Sequence, residues 1–135
     1  MNHTEFIQLV AAKPQMSPAQ AEPITRATLE TLAERITGGQ ARDLASQLPQ
    51  ELKGCLSFAG VNPEPFGLPE FLERVQARAA VELQAATDGA RAVFDTLRET
   101  ISAKEYGDFI DQLPQDFWQL TGPSVNRMET RRVGT

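Results

Sequence analysis

The segment Gln47-Leu48-Pro49-Gln50 recurs 65 residues later as Gln112-Leu113-Pro114-Gln115. Aligned with itself at this offset, the chain matches outward from the segment without a gap, so that residues 4–56 correspond to residues 69–121. Sixteen of these 53 pairs are identical, whereas ordinary composition gives roughly three or four by chance. The sequence therefore predicts an internal duplication.

Each copy has the apolar spacing of four α-helices. We predict helices at residues 4–12, 18–36 and 50–56 of the first copy, with a third helix beginning after Thr37. In the second copy they cover residues 69–79, 83–101 and 115–120, and the third begins after Ser102. Pro49 and Pro114 end the third helix of each copy and suit the start of the fourth. The sequence contains no alternating run that is rich in β-branched residues, so no strand is predicted.

Helix-start signals and apolar stripes agree with these boundaries. A capping box, in which the first and fourth side chains bond each other's backbone N–H groups, is expected at Ser17 with Gln20, Thr37 with Gln40, and Ser102 with Glu105. Six apolar residues lie on helix stripes at paired positions of the duplication, and these are the predicted core: Leu32, Ile36, Leu48, Leu97, Ile101 and Leu113.

One copy of this length buries too little surface to be stable alone. We therefore predict an all-α fold in which two tandem four-helix repeats pack as one pseudo-twofold helical bundle. Residues 1–121 form a single domain, with the repeats at 4–56 and 69–121, a linker at 57–68, and a flexible tail at 122–135. The alternative architecture is an open, solenoid-like stack.

Composition excludes several classes of function. The 135 residues carry a net charge of −5, which repels a phosphate backbone and argues against a nucleic-acid partner. Only a short basic run in the tail, Arg127, Arg131 and Arg132, favours one. A single histidine and a single cysteine exclude a multi-histidine metal site and a disulfide framework, and no cofactor is predicted.

The ends and the linker give further expectations. No apolar run is long enough to span a membrane and residues 1–10 lack a signal-peptide pattern, which predicts a cytoplasmic protein. Cys55 corresponds to Leu120 in the duplication and is expected to fill the core. The linker is unusually apolar and is expected to be pinned across the core through Phe58, Val61, Phe66 and Leu68.

Two arginines occupy the same position in the two copies. Arg26 and Arg91 each precede an acidic residue by four positions, and each copy also keeps an aspartate, Asp43 or Asp108. These residues form either a paired anion site or structural ion pairs, within the second helix or between the second and third. The structural interpretation is favoured, because bidentate arginine is a common tie between helices.

Trp118 and Tyr106 are the candidate interface residues. Trp118 corresponds to Lys53 and Tyr106 to Ala41. An aromatic side chain at a position where the fold accepts lysine is predicted to be exposed, which is typical of interface anchors. The alternative is that Trp118 packs against the tail or the linker.

The motifs also resemble those of a known family. Three of them carry the resemblance: Glu-Phe-(Ile/Leu) at a helix start, Arg-Ala…Thr-Leu-x-Glu…Ile, and Thr-Gly-Gly-Gln-Ala-Arg-Asp-Leu-Ala-x-Gln-Leu-Pro. Together they are similar to the bacterial domain-of-unknown-function family 2267, and the similarity covers residues 4–120. The second copy departs from the pattern with Ala103-Lys104 in place of Gly38-Gly39. The resemblance implies a compact, helical, bacterial cytosolic protein, and it implies no catalytic residue because the family has no assigned activity.

Two classes of function remain open. The first is a protein-interaction or binding module without catalytic activity, which binds a protein partner or a second copy of the chain as a homodimer, through Trp118 or the acidic second copy. The alternative is a small-molecule binder or an enzyme that uses an apolar cleft between the two repeats. No catalytic, cofactor-binding or metal-binding residue is predicted.

Overall fold

A computed structural model describes residues 1–58, 60 and 62–121, and most of these residues lie in helices. The first four α-helices are α1 (His3–Ala12), α2 (Pro18–Arg35), α3 (Gly38–Ala45) and α4 (Gln50–Lys53). The next four are α5 (Leu68–Ala79), α6 (Leu83–Thr100), α7 (Ala103–Ile110) and α8 (Trp118–Thr121). The described residues contain no strand, so the predicted all-α class is confirmed.

The helices of the two halves have matching lengths. Both α2 and α6 contain 18 residues, both α3 and α7 contain eight, and the members of each pair begin 65 positions apart. The turns after α1 and α5 also correspond, because Gln15 and Ala80, again 65 positions apart, both have a positive φ, of 57° and 56°.

The fourth segment of each half differs from the predicted single helix. In the first half, α4 ends at Lys53 and continues as a 3-10 helix, Gly54–Phe58. In the second half the order is reversed, with a 3-10 helix at Gln115–Phe117 before α8. Both segments follow a proline that has no side-chain donor or acceptor to cap a helix, and short unsupported helices commonly tighten to 3-10 geometry.

The helix starts use both local and distant caps. The capping box of Ser17 and Gln20 is formed as predicted. The N-cap of α5 is Gly67, which has no side chain, and the backbone N–H of Leu68 instead donates to Asp116 Oδ2 at 2.9 Å. A carboxylate 48 positions later in the sequence thus caps this helix and interacts favourably with its dipole.

The core is continuous across the two halves. All six residues predicted to be core are buried, each 8% exposed or less. A row of edge-to-face contacts between ring pairs runs through the second half and joins Phe71, Phe94, Phe109 and Phe117. Helix α1 packs on both α2 and α6, and α5 packs on the same two helices. The two long helices therefore form the centre of the bundle.

The linker is held against α2 and α5 by polar contacts as well as by apolar ones. The backbone N–H of Glu64 donates to the carbonyl oxygen of Glu34 at 2.8 Å, and Arg35 Nε donates to the carbonyl oxygen of Phe66 at 2.8 Å. The ring of Phe66 lies 4.1 Å from the Arg74 guanidinium carbon. Phe66 and Leu68 are buried as expected.

Some expectations fall on parts of the chain that the structure does not describe. These are the placement of the Phe58 side chain and of Val61, and the tail at 122–135 with Arg127, Arg131 and Arg132. Among the described helices, none combines the length and the apolar character that crossing a membrane requires.

Candidate functional site

Arg26 and Arg91 hold the fourth segment of their own half. Arg26 Nη1 donates to the carbonyl oxygen of Glu51 at 3.3 Å, and Arg91 Nη2 donates to that of Gln119 at 3.3 Å. Each arginine thus joins the long helix of its half to the short segment that follows α3 or α7. Guanidinium groups suit this role because they present several donors in a fixed plane.

The ion-pair partners of these arginines differ from the acidic residues that the sequence proposed. Arg26 Nε lies 3.1 Å from Glu22 Oε2, and Arg91 Nη1 lies 3.8 Å from Asp88 Oδ1, so both partners precede the arginine on its own helix. No salt bridge joins Arg26 to Asp43 or Arg91 to Asp108 among the described residues. Side chains on a helix lean towards its N-terminus, which brings an arginine to the preceding turn.

Asp43 and Asp108 lie where α3 meets α7. Asp108 Oδ2 accepts from Lys104 Nζ at 2.8 Å, and the backbone carbonyl of Asp43 accepts from Ser46 Oγ at 2.6 Å. Helices α3 and α7 contact each other across the two halves. We call this contact the α3–α7 seam.

The predicted capping boxes at Thr37 and Ser102 are only half formed. The side chain of each residue accepts from the backbone N–H three positions later, but its own backbone N–H donates to a side chain of the other half. The N–H of Thr37 donates to Gln112 Oε1 at 2.9 Å, and the N–H of Ser102 donates to Gln47 Oε1 at 2.8 Å. The N3 side chains, Gln40 and Glu105, instead bond to each other.

Glu105 is a buried carboxyl group, only 9% exposed. Burial raises its pKa, and repulsion by Asp43 and Asp108 adds to the shift. Its hydrogen bond from Gln40 partly offsets that effect. The seam therefore holds an acidic group whose charged form is disfavoured.

Tyr106 and Trp118 are both partly buried. The Tyr106 ring packs edge to face on Phe109, with the centroids 5.2 Å apart, and lies 5.5 Å from the Arg98 guanidinium carbon. Tyr106 is thus part of the core margin rather than an exposed anchor. Trp118 begins α8, which packs against α6. The residue is partly exposed, whereas its indole Nε1 is buried.

A cleft with charges of both signs lies between the turn after α1 and the outer side of α6. Its volume is about 320 Å³, and its lining residues are Lys13, Pro14, Asp88, Arg91, Ala92 and Asp95. We call it the charged cleft. It lies between the two halves of the chain, as one sequence hypothesis required, but its lining is largely ionic where that hypothesis expected apolar groups.

A second depression lies beside the start of α1 and has a volume of about 210 Å³. On its rim, His3 Nε2 lies 3.3 Å from Glu22 Oε2, which also pairs with Arg26. Cys55 is close to the same arginine, with Sγ 3.9 Å from Arg26 Nη1. It is 4% exposed, and burial raises the pKa of its thiol. Cys55 therefore fills the core as expected.

The sequence interpretation missed the charged cleft, although part of the signal was present. Asp88, Arg91 and Asp95 follow a spacing of three and four residues, which places them on one face of α6. Lys13 and Pro14 are distant in sequence, and only the packing of α1 on α6 brings them to that face. Within the described ranges, no group of three or more His, Cys, Asp or Glu side chains is arranged to hold a metal ion.

Comparison with known proteins identifies the family of the chain. A family model described as "Uncharacterized conserved protein (DUF2267)" matches residues 3–120, from the first residue of α1 into α8. No curated protein is similar enough to the chain to count as a match.

Proposed function

The chain belongs to the uncharacterised conserved protein family DUF2267, and from that premise we propose that it is a binding module without catalytic activity. In this proposal, residues 1–121 form one domain of two tandem four-helix repeats, and the second repeat carries the surface that binds a protein partner or a second copy of the chain. The two parts of the proposal have separate support.

Reciprocal contacts support a pseudo-twofold arrangement of the repeats. In an interface with twofold symmetry, a contact between positions i and j recurs between j and i. The bond between Thr37 and Gln112 recurs in this sense as the bond between Ser102 and Gln47, because each residue moves by 65 positions to its counterpart.

Two ion pairs form a second reciprocal pair of contacts. Lys13 Nζ is 2.8 Å from Glu99 Oε1, and Arg78 Nη1 is 2.8 Å from Glu34 Oε1. These positions are also exchanged by the 65-residue offset. Two hydrogen-bonded pairs and two ion pairs thus follow the same exchange. This supports an arrangement in which the two repeats pack face to face, rather than an open stack.

The observation that carries the binding proposal is the difference between Trp118 and its counterpart Lys53. Both positions lie in the fourth segment of their half and both are partly exposed. The fold therefore tolerates lysine at this position, and a tryptophan there adds apolar surface beside α6. Large aromatic side chains at such positions are frequent anchors of protein interfaces.

The test is the substitution Trp118→Lys, which installs the residue that the first repeat already has. We expect its free energy of unfolding to stay within about 1 kcal/mol of that of the parent chain. Partner binding should weaken by about 2 kcal/mol or more if the indole is a hot spot. Sedimentation measures self-association, and capture from a bacterial lysate measures binding of another protein.

Gln119→Lys is the matched control, because it adds the same positive charge at the adjacent exposed position and keeps the indole. It should leave association unchanged. A Trp118→Lys variant that is strongly destabilised but associates normally would identify Trp118 as a core residue and overturn the proposal.

A further inference from the structure

We propose that the charged cleft binds a small zwitterion, and specifically a free α-amino acid. This inference is independent of the partner surface at Trp118. It rests on the arrangement of the lining charges, on the long ion pairs of Arg91 and Asp95, and on the size of the cleft.

The charges of opposite sign alternate along one face of α6. Arg91 lies between Asp88, one turn before it, and Asp95, one turn after it. The opposite wall is the turn after α1, where Lys13 provides a second cation. A ligand in the cleft therefore meets a positive and a negative group only one helical turn apart, which matches the close spacing of the two charges in an α-amino acid.

The ion pairs on the α6 side of the cleft are long. Arg91 Nη1 is 3.8 Å from Asp88, and Asp95 is 3.7 Å from the nearest nitrogen of Arg98. Charge-assisted hydrogen bonds between nitrogen and a carboxylate are usually about 2.7–2.9 Å long. Asp88 Oδ1 also accepts from Gln84 Nε2 at 2.9 Å, which leaves Asp95 as the better placed acceptor. A ligand carboxylate at Arg91 and a ligand ammonium at Asp95 would form shorter contacts than the ion pairs that these two groups now make.

Arg91 is also held in position. Its Nη2 donates to the carbonyl oxygen of Gln119 at 3.3 Å, which restricts the orientation of the guanidinium group. Lys13 is oriented on the other wall by its 2.8 Å ion pair with Glu99. Donors that are already oriented lose little conformational entropy when a ligand binds.

Size and charge balance favour a small ligand that carries both signs of charge. The volume of about 320 Å³ is at the lower end of the range for small-molecule sites. An anion alone, such as phosphate, would be repelled by Asp88 and Asp95, and a cation alone would be repelled by Arg91 and Lys13. The apolar lining consists of Pro14 and Ala92, which suits a short aliphatic side chain.

The corresponding arginine of the first half lacks these features and provides a control. Arg26 lies 3.1 Å from Glu22, and its Nη1 is shared between the Glu51 carbonyl and Cys55. It makes the same kind of contact with its own fourth segment as Arg91 does. A substitution of Arg26 therefore reproduces the structural effect of a substitution of Arg91 outside the cleft.

The experiment uses the full chain and L-leucine as the probe, with binding measured by calorimetry and by amide chemical shifts. L-Leucinamide lacks the carboxylate and N-acetyl-L-leucine lacks the ammonium group. We expect L-leucine to bind, to shift the amide signals of Lys13 and Ala92, and to bind at least about tenfold more tightly than either derivative.

The variants test whether the cleft is the site. Arg91→Gln should weaken L-leucine binding at least about tenfold, and Arg26→Gln should change it less than about twofold. Asp95→Asn should weaken binding of L-leucine but not of N-acetyl-L-leucine, and this readout remains if Arg91→Gln proves unstable. The proposal is overturned if L-leucine does not bind, if the derivatives bind equally well, or if the two arginine variants lose binding equally.

Discussion

Ile24 and Gly89, which occupy the same position in the two halves of the chain, contact each other where α2 crosses α6. A Cβ atom at Gly89 would lie 3.2 Å from both Cβ and Cδ1 of Ile24, and closer still to its Cγ2. In the proposed pseudo-twofold arrangement, a residue near the axis meets its own counterpart, and two large side chains would collide there. One isoleucine and one glycine fill the space, which explains a glycine in the middle of a long helix.

The first prediction concerns this crossing. Gly89→Ala should lower the free energy of unfolding by about 1–2 kcal/mol, because overpacking by a methyl group outweighs the gain in helix propensity. In an Ile24→Ala background the same change should become neutral or stabilising. Chemical denaturation of the four chains of this cycle measures the coupling.

Gly107→Ala is the control for that cycle. A Cβ at Gly107 meets nothing within 4 Å, so this change in α7 should stabilise the chain by up to about 1 kcal/mol. If Gly89→Ala is as stabilising as Gly107→Ala, the close contact with Ile24 does not constrain the fold.

The second prediction concerns the turn after α5. Ala80 adopts a left-handed conformation, with φ 56° and ψ 50°, that glycine adopts without strain. Ala80→Gly should therefore raise the free energy of unfolding by about 0.5–1 kcal/mol. Ala77→Gly, an exposed change inside the same helix, should lower it by a similar amount, about 0.5–1 kcal/mol. If Ala80→Gly and Ala77→Gly lower the stability equally in thermal unfolding, the prediction is contradicted.

The third prediction concerns the α3–α7 seam. Gln112→Ala removes the acceptor for the Thr37 N–H, and Gln47→Ala removes the acceptor for the Ser102 N–H. Each should lower stability by about 1 kcal/mol, the usual net contribution of one such hydrogen bond. Gln8→Ala, at an exposed position of α1, should stay within about 0.5 kcal/mol of the parent chain. A large loss for only one of the two seam variants would count against reciprocal capping.

The fourth prediction concerns pH. Burial raises the pKa of Glu105, so the folded chain retains this proton at pH values where the unfolded chain has lost it, and stability falls as pH rises through the raised pKa. Glu105→Gln keeps an oxygen that accepts from Gln40, and the counterpart of Glu105 is already glutamine. The variant should be more stable than the parent near neutral pH. This difference should shrink as pH falls through the raised pKa, and it should be smallest below the value of the unfolded chain, about 4.3.

Glu34→Gln should show the opposite pH dependence. A hydrogen bond from Arg78 lowers the pKa of Glu34, and Arg74 adds to the shift, so its contribution is present above the pKa of the unfolded chain and is lost on acidification. The variant should be less stable by about 1 kcal/mol at neutral pH, since the group is partly exposed. Urea denaturation at a series of pH values measures the free energy of unfolding of both variants and of the parent chain. If this free energy changes with pH in the same way in all three chains, the pKa shifts assigned to Glu105 and Glu34 are refuted.

The fifth prediction concerns the paired core leucines. Leu48 and Leu113 are 5% and 4% exposed, and each lies three residues after the third helix of its half ends. Leu→Ala at either position should lower the free energy of unfolding by about 2–5 kcal/mol. A loss below about 0.5 kcal/mol, the range of surface substitutions, would remove that residue from the core.

The sequence by itself determined the helices. The period of apolar residues, Ser17 as a cap, and Pro49 and Pro114 at the start of the fourth segments act within a few residues, so they could be located without knowing the neighbours in space. The third helices nevertheless end four residues before these prolines, at Ala45 and Ile110. The 65-residue offset also aligned the core positions of the two halves. Burial of Tyr106 was partly readable, because Phe109 lies three positions later on the same face of α7.

Only the tertiary structure decided the partners of the polar groups. Gln40 and Glu105 had the spacing of local caps, but packing of α3 on α7 brought them together and left the backbone donors of Thr37 and Ser102 to side chains 75 and 55 positions away. The charged cleft arose in the same way, when α1 packed on α6 and placed Lys13 opposite Arg91. A hydrogen bond or an ion pair depends on distances of about 3 Å between groups from different helices, and no local period in the sequence specifies those distances.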